Sequence, residues 1–271
     1  MKTVVRHLPV FALVLLLGQN GDSNLQPNQI QFALAPIAAS AVLHRQQAAP
    51  HLRNANGTSQ NWSGYAVESN LNSPSSGAVS DVKGTWTVPQ VSSSGSAHTY
   101  SSIWVGIDGY SDNTVEQTGT EQDWTPSGPV YYAWFEMYPK FAYRIVNFPL
   151  RPGDQISSEV KYVGNSRFTL TIANLTRGVK FSTTQRHKAQ RSSAEWIVEA
   201  PYSGGILPLA DFGTITFTGC SANLSGHAGS ISDPAWQYDA IIMADSDGTV
   251  KARPSSLSQS GSTFSVNWQS E

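Results

Sequence analysis

The sequence predicts an all-β domain, a sandwich or barrel, over residues 58–271. Three observations predict it. Helical periodicity is nearly absent after residue 60. In its place come short stretches of apolar–polar alternation, at 61–67, 82–88, 102–108, 130–138, 156–163, 167–173, 194–200, 214–218, 239–244 and 262–268. Clusters of Gly, Pro, Ser and Asn separate them, the spacing of antiparallel strands joined by turns. The length from Gln60 onward, about 212 residues, suits one such domain with a full core and no covalent staples.

Taken in order, the chain opens with Lys2, Arg6 and His7 ahead of the apolar run Leu8–Leu17. A charged start followed by a short apolar run reads as a signal peptide over residues 1–18, too short for a permanent membrane span. The mature protein is therefore expected to be secreted and, once the signal is removed, to have no membrane association. Residues 19–57 are rich in Gln, Asn and Ala without strand-like alternation, and read as a linker or pro-segment, removed or poorly ordered. A short helix is expected over 30–46. In "SIWVGID" Ile103, Val105 and Ile107 form a core face, leaving Trp104 and Asp108 opposite. In "VYYAWFEMYP" Tyr131, Ala133, Phe135 and Met137 alternate with Tyr132, Trp134, Glu136 and Tyr138. In "SSAEWIVEA" Ala194, Trp196, Val198 and Ala200 point to the core, and Glu195, Ile197 and Glu199 point away. The basic run from Arg177 to Arg191 reads as a solvated loop or hairpin end. Asp245–Gly248 reads as a hairpin turn; a calcium loop would need further ligands that are missing.

Composition excludes several functions. The chain carries 17 basic and 19 acidic residues, and the region after residue 54 keeps 13 and 18 of them. A sparse, net acidic charge argues against nucleic-acid binding, which needs clustered Lys and Arg. Cys220 is the single cysteine, so no disulfide forms within the chain and no cysteine-based metal site assembles. The six histidines are scattered, and HExxH and GxSxG motifs are absent.

Carboxylates and amides remain. Several strands present a second face on which aromatic rings stand among carboxylates, the lining of a binding groove rather than a plainly solvated face. Two reaction classes use such groups. A glycosidase needs two facing carboxylates, and Glu136 with Glu195 could supply them. A peptidase can work with one carboxylate, first a base toward water and then an acid toward the amine, plus a neutral donor for the oxyanion. "NTVEQTGTEQDW" (113–124) offers that donor in Gln117. A binding module with an aromatic groove for glycan or peptide is the third reading, since fold alone does not separate these functions.

The blocks "NWSGYAV" (61–67), "GTWTVPQV" (84–91), "SIWVGIDG" (102–109), "EQTGTEQDW" (116–124), "YYAWFEMYP" (131–139), "SAEWIVEAP" (193–201) and "LADFGTITFT" (209–218) resemble, in order, those of the glutamic peptidases, or eqolisins. The resemblance implies a β-sandwich of two antiparallel sheets of about seven strands each, of the concanavalin A-like or jelly-roll type, with the active site on the concave sheet. It implies a monomeric endopeptidase working at acidic pH on protein or peptide substrates, with no metal or other cofactor and no covalent intermediate. Carried over residue by residue, Glu195 becomes the general base and then acid, and Gln117 the oxyanion donor. Trp104, Asp108 and Glu136 match positions that line or support the cleft. Strand periodicity adds Tyr132, Trp134 and Tyr138, and places Glu199 beside Glu195.

Two electrostatic expectations follow. Glu136 and Glu199, if close, raise the Glu195 pKa by on the order of one unit. The basic residues Arg186, His187, Lys188 and Arg191 lower it if their loop folds over the cleft. The chain also departs from the family's fungal members, which carry disulfides that this sequence cannot form.

Overall fold

The computed structural model describes residues 30–37 and 57–271. The expected signal peptide and most of the 19–57 segment lie outside the described residues. Among the described residues every regular element is a strand. The first six are β1 (Ala33–Pro36), β2 (Gly57–Ser59), β3 (Trp62–Glu68), β4 (Val79–Thr87), β5 (Ser102–Ile107) and β6 (Val115–Thr125). Then follow β7 (Gly128–Tyr138), β8 (Tyr143–Val146), β9 (Gln155–Tyr162), β10 (Arg167–Asn174), β11 (Val179–Arg186) and β12 (Ser193–Glu199). The last five are β13 (Thr214–Leu224), β14 (His227–Gly229), β15 (Gln237–Ala244), β16 (Val250–Pro254) and β17 (Phe264–Trp268).

Pairing divides these strands into two antiparallel runs. One runs β15–β3–β12–β5–β6–β7–β8–β1. The other runs β11–β10–β9–β4–β13–β17–β16. A β15–β16 pairing links them, and β2 lies parallel to β15. One hydrophobic core takes residues from both, including Ile103, Val105 and Ile107 of β5, Phe135 and Met137 of β7, Trp196 and Val198 of β12, and Val82, Ile156, Leu170 and Phe217 of the second run. These are the core faces that period-two alternation picks out.

Three polar contacts cross that core and fix how the runs sit on one another. The Trp196 indole N–H donates to the Lys83 carbonyl at 2.8 Å, and Trp86 donates to Thr120 Oγ1 at 3.1 Å. Ser158 donates to the Thr118 carbonyl at 3.1 Å. Gly84 makes room for the Trp196 ring, because a Cβ there would lie 2.9 Å from Trp196 Cδ1. β12 is thus anchored through Trp196, with Glu195 on its other face.

Three expectations change. The helix over 30–46 is not formed where the chain is described: Ala33–Pro36 is a strand on the β8 edge, with the Ile37 N–H donating to Ala142 at 2.9 Å. A backbone in need of partners and an open strand edge decide this locally, against a weak helical preference. The basic stretch contains a regular strand, β11, paired along its length with β10. β6 adds a long strand over 115–125, between β5 and β7. The Asp245–Gly248 turn forms as expected, with Gly248 N donating to the Asp245 carbonyl at 3.0 Å.

Candidate active site

Residues directly opposite one another in a sheet project from the same face. The register therefore lines up one row across six strands: Asp239 (β15), Ala66 (β3), Glu195 (β12), Gly106 (β5), Gln117 (β6) and Glu136 (β7). Glu195 and Gln117 are two strand steps apart, roughly 9–10 Å between Cα atoms at the usual interstrand spacing. Gly106 lies between them with no side chain, and Trp104 and Gln117 pack closely over it. A Cβ at position 106 would be 2.8 Å from Trp104 Cζ3 and 3.2 Å from Gln117 Cβ.

Each polar group in the row has a distinct environment. One Gln117 N–H donates to Glu136 Oε2 at 2.8 Å, while Gln117 Oε1 is buried without a hydrogen-bond partner in the protein. Glu136 thus fixes which way the amide points and leaves its second N–H and its carbonyl for another molecule. Glu195 is fully buried. Burial pushes its carboxyl well above the ordinary range, the Ser193 hydroxyl opposes this, and the charges of Asp108, Asp112 and Glu68 add to the rise. Burial, with the Glu199 charge, also raises Glu136.

The next row along the strands holds Ile197, Trp104, Gly119, Trp134 and Arg144. The Trp104 N–H donates to Glu199 Oε2 at 2.8 Å, and Asn61 Nδ2 reaches Glu199 Oε1 at 3.3 Å. Trp62 meets Trp104 edge-on at 4.9 Å. Gly119 lies under Trp104, where a Cβ would come 2.6 Å from the Trp104 Cβ. Trp62, Trp104, Tyr110, Val115, Trp134, Ile197 and Ile241 form a second apolar cluster on this face, with Tyr132 and Tyr138 packed against it. The face is a second, smaller core studded with carboxyls rather than a wet surface.

Asp108 follows β5 with a backbone φ of 72°, a left-handed conformation that Asp tolerates better than most residues. Its carboxylate accepts the N–H groups of Arg191 at 2.6 Å and Ser192 at 2.7 Å, and its own N–H reaches the Ser193 carbonyl at 3.0 Å. Asp108 therefore holds the start of β12 two residues before Glu195, as a positioning group. Burial and the nearby Asp112 charge push it up to about 8.

Two electrostatic expectations are corrected. The neighbours that raise Glu195 by their charge are Asp108, Asp112 and Glu68, while Glu136 is bound to Gln117 and Glu199 to Trp104. Two basic side chains of the segment before β12 are engaged away from Glu195. The Arg191 guanidinium lies 3.8 Å from the Tyr162 ring centroid, and His187 Nδ1 lies 2.5 Å from Glu116 Oε1, on the opposite face of β6 from Gln117. Burial lowers the His187 pKa.

Comparison with known proteins gives this arrangement its setting. Residues 60–268 match the model of the peptidase A4 family. The chain belongs to that family, the glutamic peptidases or eqolisins. It is 31% identical over 234 residues to Aspergillopepsin-2 of Aspergillus niger, covering 78% of both chains. It is 32% identical over 200 residues to Scytalidopepsin B of Scytalidium lignicola, covering 69% of this chain and 72% of the relative. Among solved structures, scytalido-glutamic peptidase with a transition state analog inhibitor superposes with a TM-score of 0.64 at 27% identity. The match covers 78% of this chain and 98% of that one.

Within this glutamic peptidase, sequence reading singled out Gln117, Glu195, Trp104, Trp134 and Glu136, and the register brings them onto adjoining rows of one face. Tyr138 stands beyond Glu136 on β7, half-buried and opposite Val115, and Glu199 lies behind Trp104. Other groups share this face. Gly106, Glu121 and Asp123 were legible from the same alternation, since they share faces with Trp104 and Gln117. Glu68 and Asp239 carried no local signal, because only long-range register brings them to this face.

Proposed function

We propose that this chain hydrolyses peptide bonds at acidic pH through a Gln117–Glu195 dyad, as a secreted endopeptidase. The observation that carries the reading is the cross-strand sequence Glu195–Gly106–Gln117 in a chain of the glutamic peptidase family. A water held between the Gln117 amide and the Glu195 carboxyl would hydrogen-bond to both side chains. Glu195 takes a proton from that water as its oxygen adds to the substrate carbonyl carbon. The carbonyl oxygen becomes an oxyanion and receives the free Gln117 N–H, which carries no charge to repel it at any pH. Glu195 then gives its proton to the amide nitrogen as the C–N bond breaks, leaving a carboxylic acid and an amine.

The surroundings shape the pH dependence. Glu121 and Glu136 share the face and are fully buried, and burial raises both well above the ordinary range. While they are ionised, their field opposes formation of an oxyanion; once they carry protons, it does not. Activity should therefore have an ascending limb set by Glu195 ionisation and a descending limb set by deprotonation of its neighbours. Gln117 stands between Glu136 and Glu195, so those carboxyls do not face each other across an open space, as a two-carboxylate glycosidase requires. Two paired runs around one core support a jelly-roll-like two-sheet sandwich, with the dyad on the sheet that β15, β3, β12, β5, β6, β7 and β8 form.

The test is digestion of casein at about pH 4, near the ordinary carboxylate range, by folded Gln117→Ala and Glu195→Gln proteins. Both should be inactive. Digestion by either at near the parent rate refutes the dyad.

A further inference from the structure

Another buried carboxyl on this face, Asp239, is held by a hydroxyl and a backbone N–H. Asp239 is fully buried. Its Oδ2 accepts the Tyr110 hydroxyl at 2.6 Å, and its Oδ1 accepts the backbone N–H of Gly57 at 3.0 Å. Among the described residues no Lys, Arg or His pairs with it. An ionised carboxylate buried without a cation beside it is costly. The carboxylate also wraps closely around Gly57, where a Cβ would overlap it. Gly57 begins β2, which is held parallel to β15 beside Asp239, and the family match begins three residues later, at residue 60.

We infer that Gly57 is the mature N-terminus, and that its α-ammonium is the missing cation of Asp239. Hydrolysis of the 56–57 peptide bond consumes one water, leaves a carboxylate on residue 56 and frees the Gly57 nitrogen as an amine. That amine is protonated below about pH 8. The N–H···O contact already in place then becomes an ion pair, with no movement of β2 needed to form it. Glycine is the residue that fits, since any side chain would displace the carboxylate. The pair also reaches the catalytic row. Asp239 is opposite Ala66, which is opposite Glu195, and Tyr110 ties Asp239 to the turn after β5. Maturation at this bond would thus place a cation against a buried carboxyl two strands from the catalytic carboxylate.

Two experiments test this. In the first, the wild-type full chain is held at acidic pH until processing stops, and its N-terminus is sequenced. It should begin at Gly57; a stable product that begins elsewhere overturns the inference. The second does not depend on the proposed dyad. Residues 51–56 of the full-length Gln117→Ala protein are replaced by the recognition sequence of a site-specific protease that cuts before glycine. A sister protein carries one serine between that sequence and Gly57, with the site chosen to cut before the serine. After cutting, the chain that begins at Gly57 should melt about 2–4 °C or more above the chain extended by one residue. The difference should disappear in Asp239→Asn and fade above about pH 8, where the amine loses its proton. Equal melting of the two chains, or a difference that survives Asp239→Asn, overturns the ion pair.

Discussion

Gly106→Ala tests the geometry of the dyad without altering any polar group. The added Cβ would stand 2.8 Å from Trp104 Cζ3, 3.2 Å from Trp104 Cε3 and 3.2 Å from Gln117 Cβ. Carbon atoms pack at about 3.5–4.0 Å, so relieving both contacts takes about 0.7–1.2 Å at Trp104 and about 0.3–0.8 Å at Gln117. Trp104 has little room to retreat. Its N–H is held by Glu199 at 2.8 Å, its ring meets Trp62 at 4.9 Å, and its Cβ sits over Gly119. The displacement falls at least partly on Gln117, whose amide is aligned by Glu136. Misplacing a catalytic group by about 1 Å costs on the order of 100-fold in rate. Overpacking of this size costs about 1–3 kcal/mol of stability, so the domain should remain folded. Steady-state kinetics on a fluorogenic peptide at acidic pH should show kcat reduced by about 100-fold with KM little changed. Gly205→Ala, where an added Cβ meets nothing within 4 Å, serves as the control. A folded Gly106→Ala enzyme with kcat within a few-fold of the parent would refute the placement of Gln117, Gly106 and Glu195 around one reacting centre.

Further outcomes follow from the same contacts. Glu136→Gln keeps an acceptor for the Gln117 N–H but removes a titrating group, so it should retain proteolysis and extend activity to higher pH. Glu136→Leu frees the amide and should cost about 10-fold or more in kcat, as loss of an orienting hydrogen bond does; pH–rate profiles of the two variants separate these effects. The fold should be most stable in acid. Burial raises Glu195, Glu136, Glu121 and Glu116 well above their ordinary range, Asp108 to about 8 and Asp123 to about 7. Between pH 4 and 8, therefore, the folded chain binds more protons than the unfolded one, and stability falls as pH rises through that window. Denaturant midpoints of the inactive Gln117→Ala protein that stay flat or rise from about pH 4 to 7 would contradict this.

Much of this arrangement is legible in the sequence, for identifiable reasons. β5, β7 and β12 each carry large apolar residues at every second position on the core side. Their opposite faces, with Trp104, Trp134, Glu136 and Glu195, follow by simple alternation. β11 packs Val179 and Phe181 against the core but is polar from Ser182 to Gln185, and pairing with β10 carries it on as a strand there. β1 likewise depends on the β8 edge, which no local pattern in "ALAP" announces. The row itself is set by register. Asp239, Ala66 and Glu195 come from strands far apart in sequence, and nothing near Asp239 marks it as a neighbour of the dyad. Gln117 shows the remaining limit. An amide on a strand has no chemical signature of its own: the need for a neutral oxyanion donor makes Gln117 a candidate, and the family blocks give it the role.

The most direct test of the dyad is a double-mutant comparison of kcat/KM for Gln117→Ala, Glu195→Gln and the two combined, all shown to be folded. Groups that act on one water and one oxyanion act as a unit, so each single change should cost at least about 100-fold and the double change little more than the worse single. Losses that multiply in the double variant, or a single variant that keeps most of the parent kcat/KM, would contradict a shared reacting centre between Gln117 and Glu195.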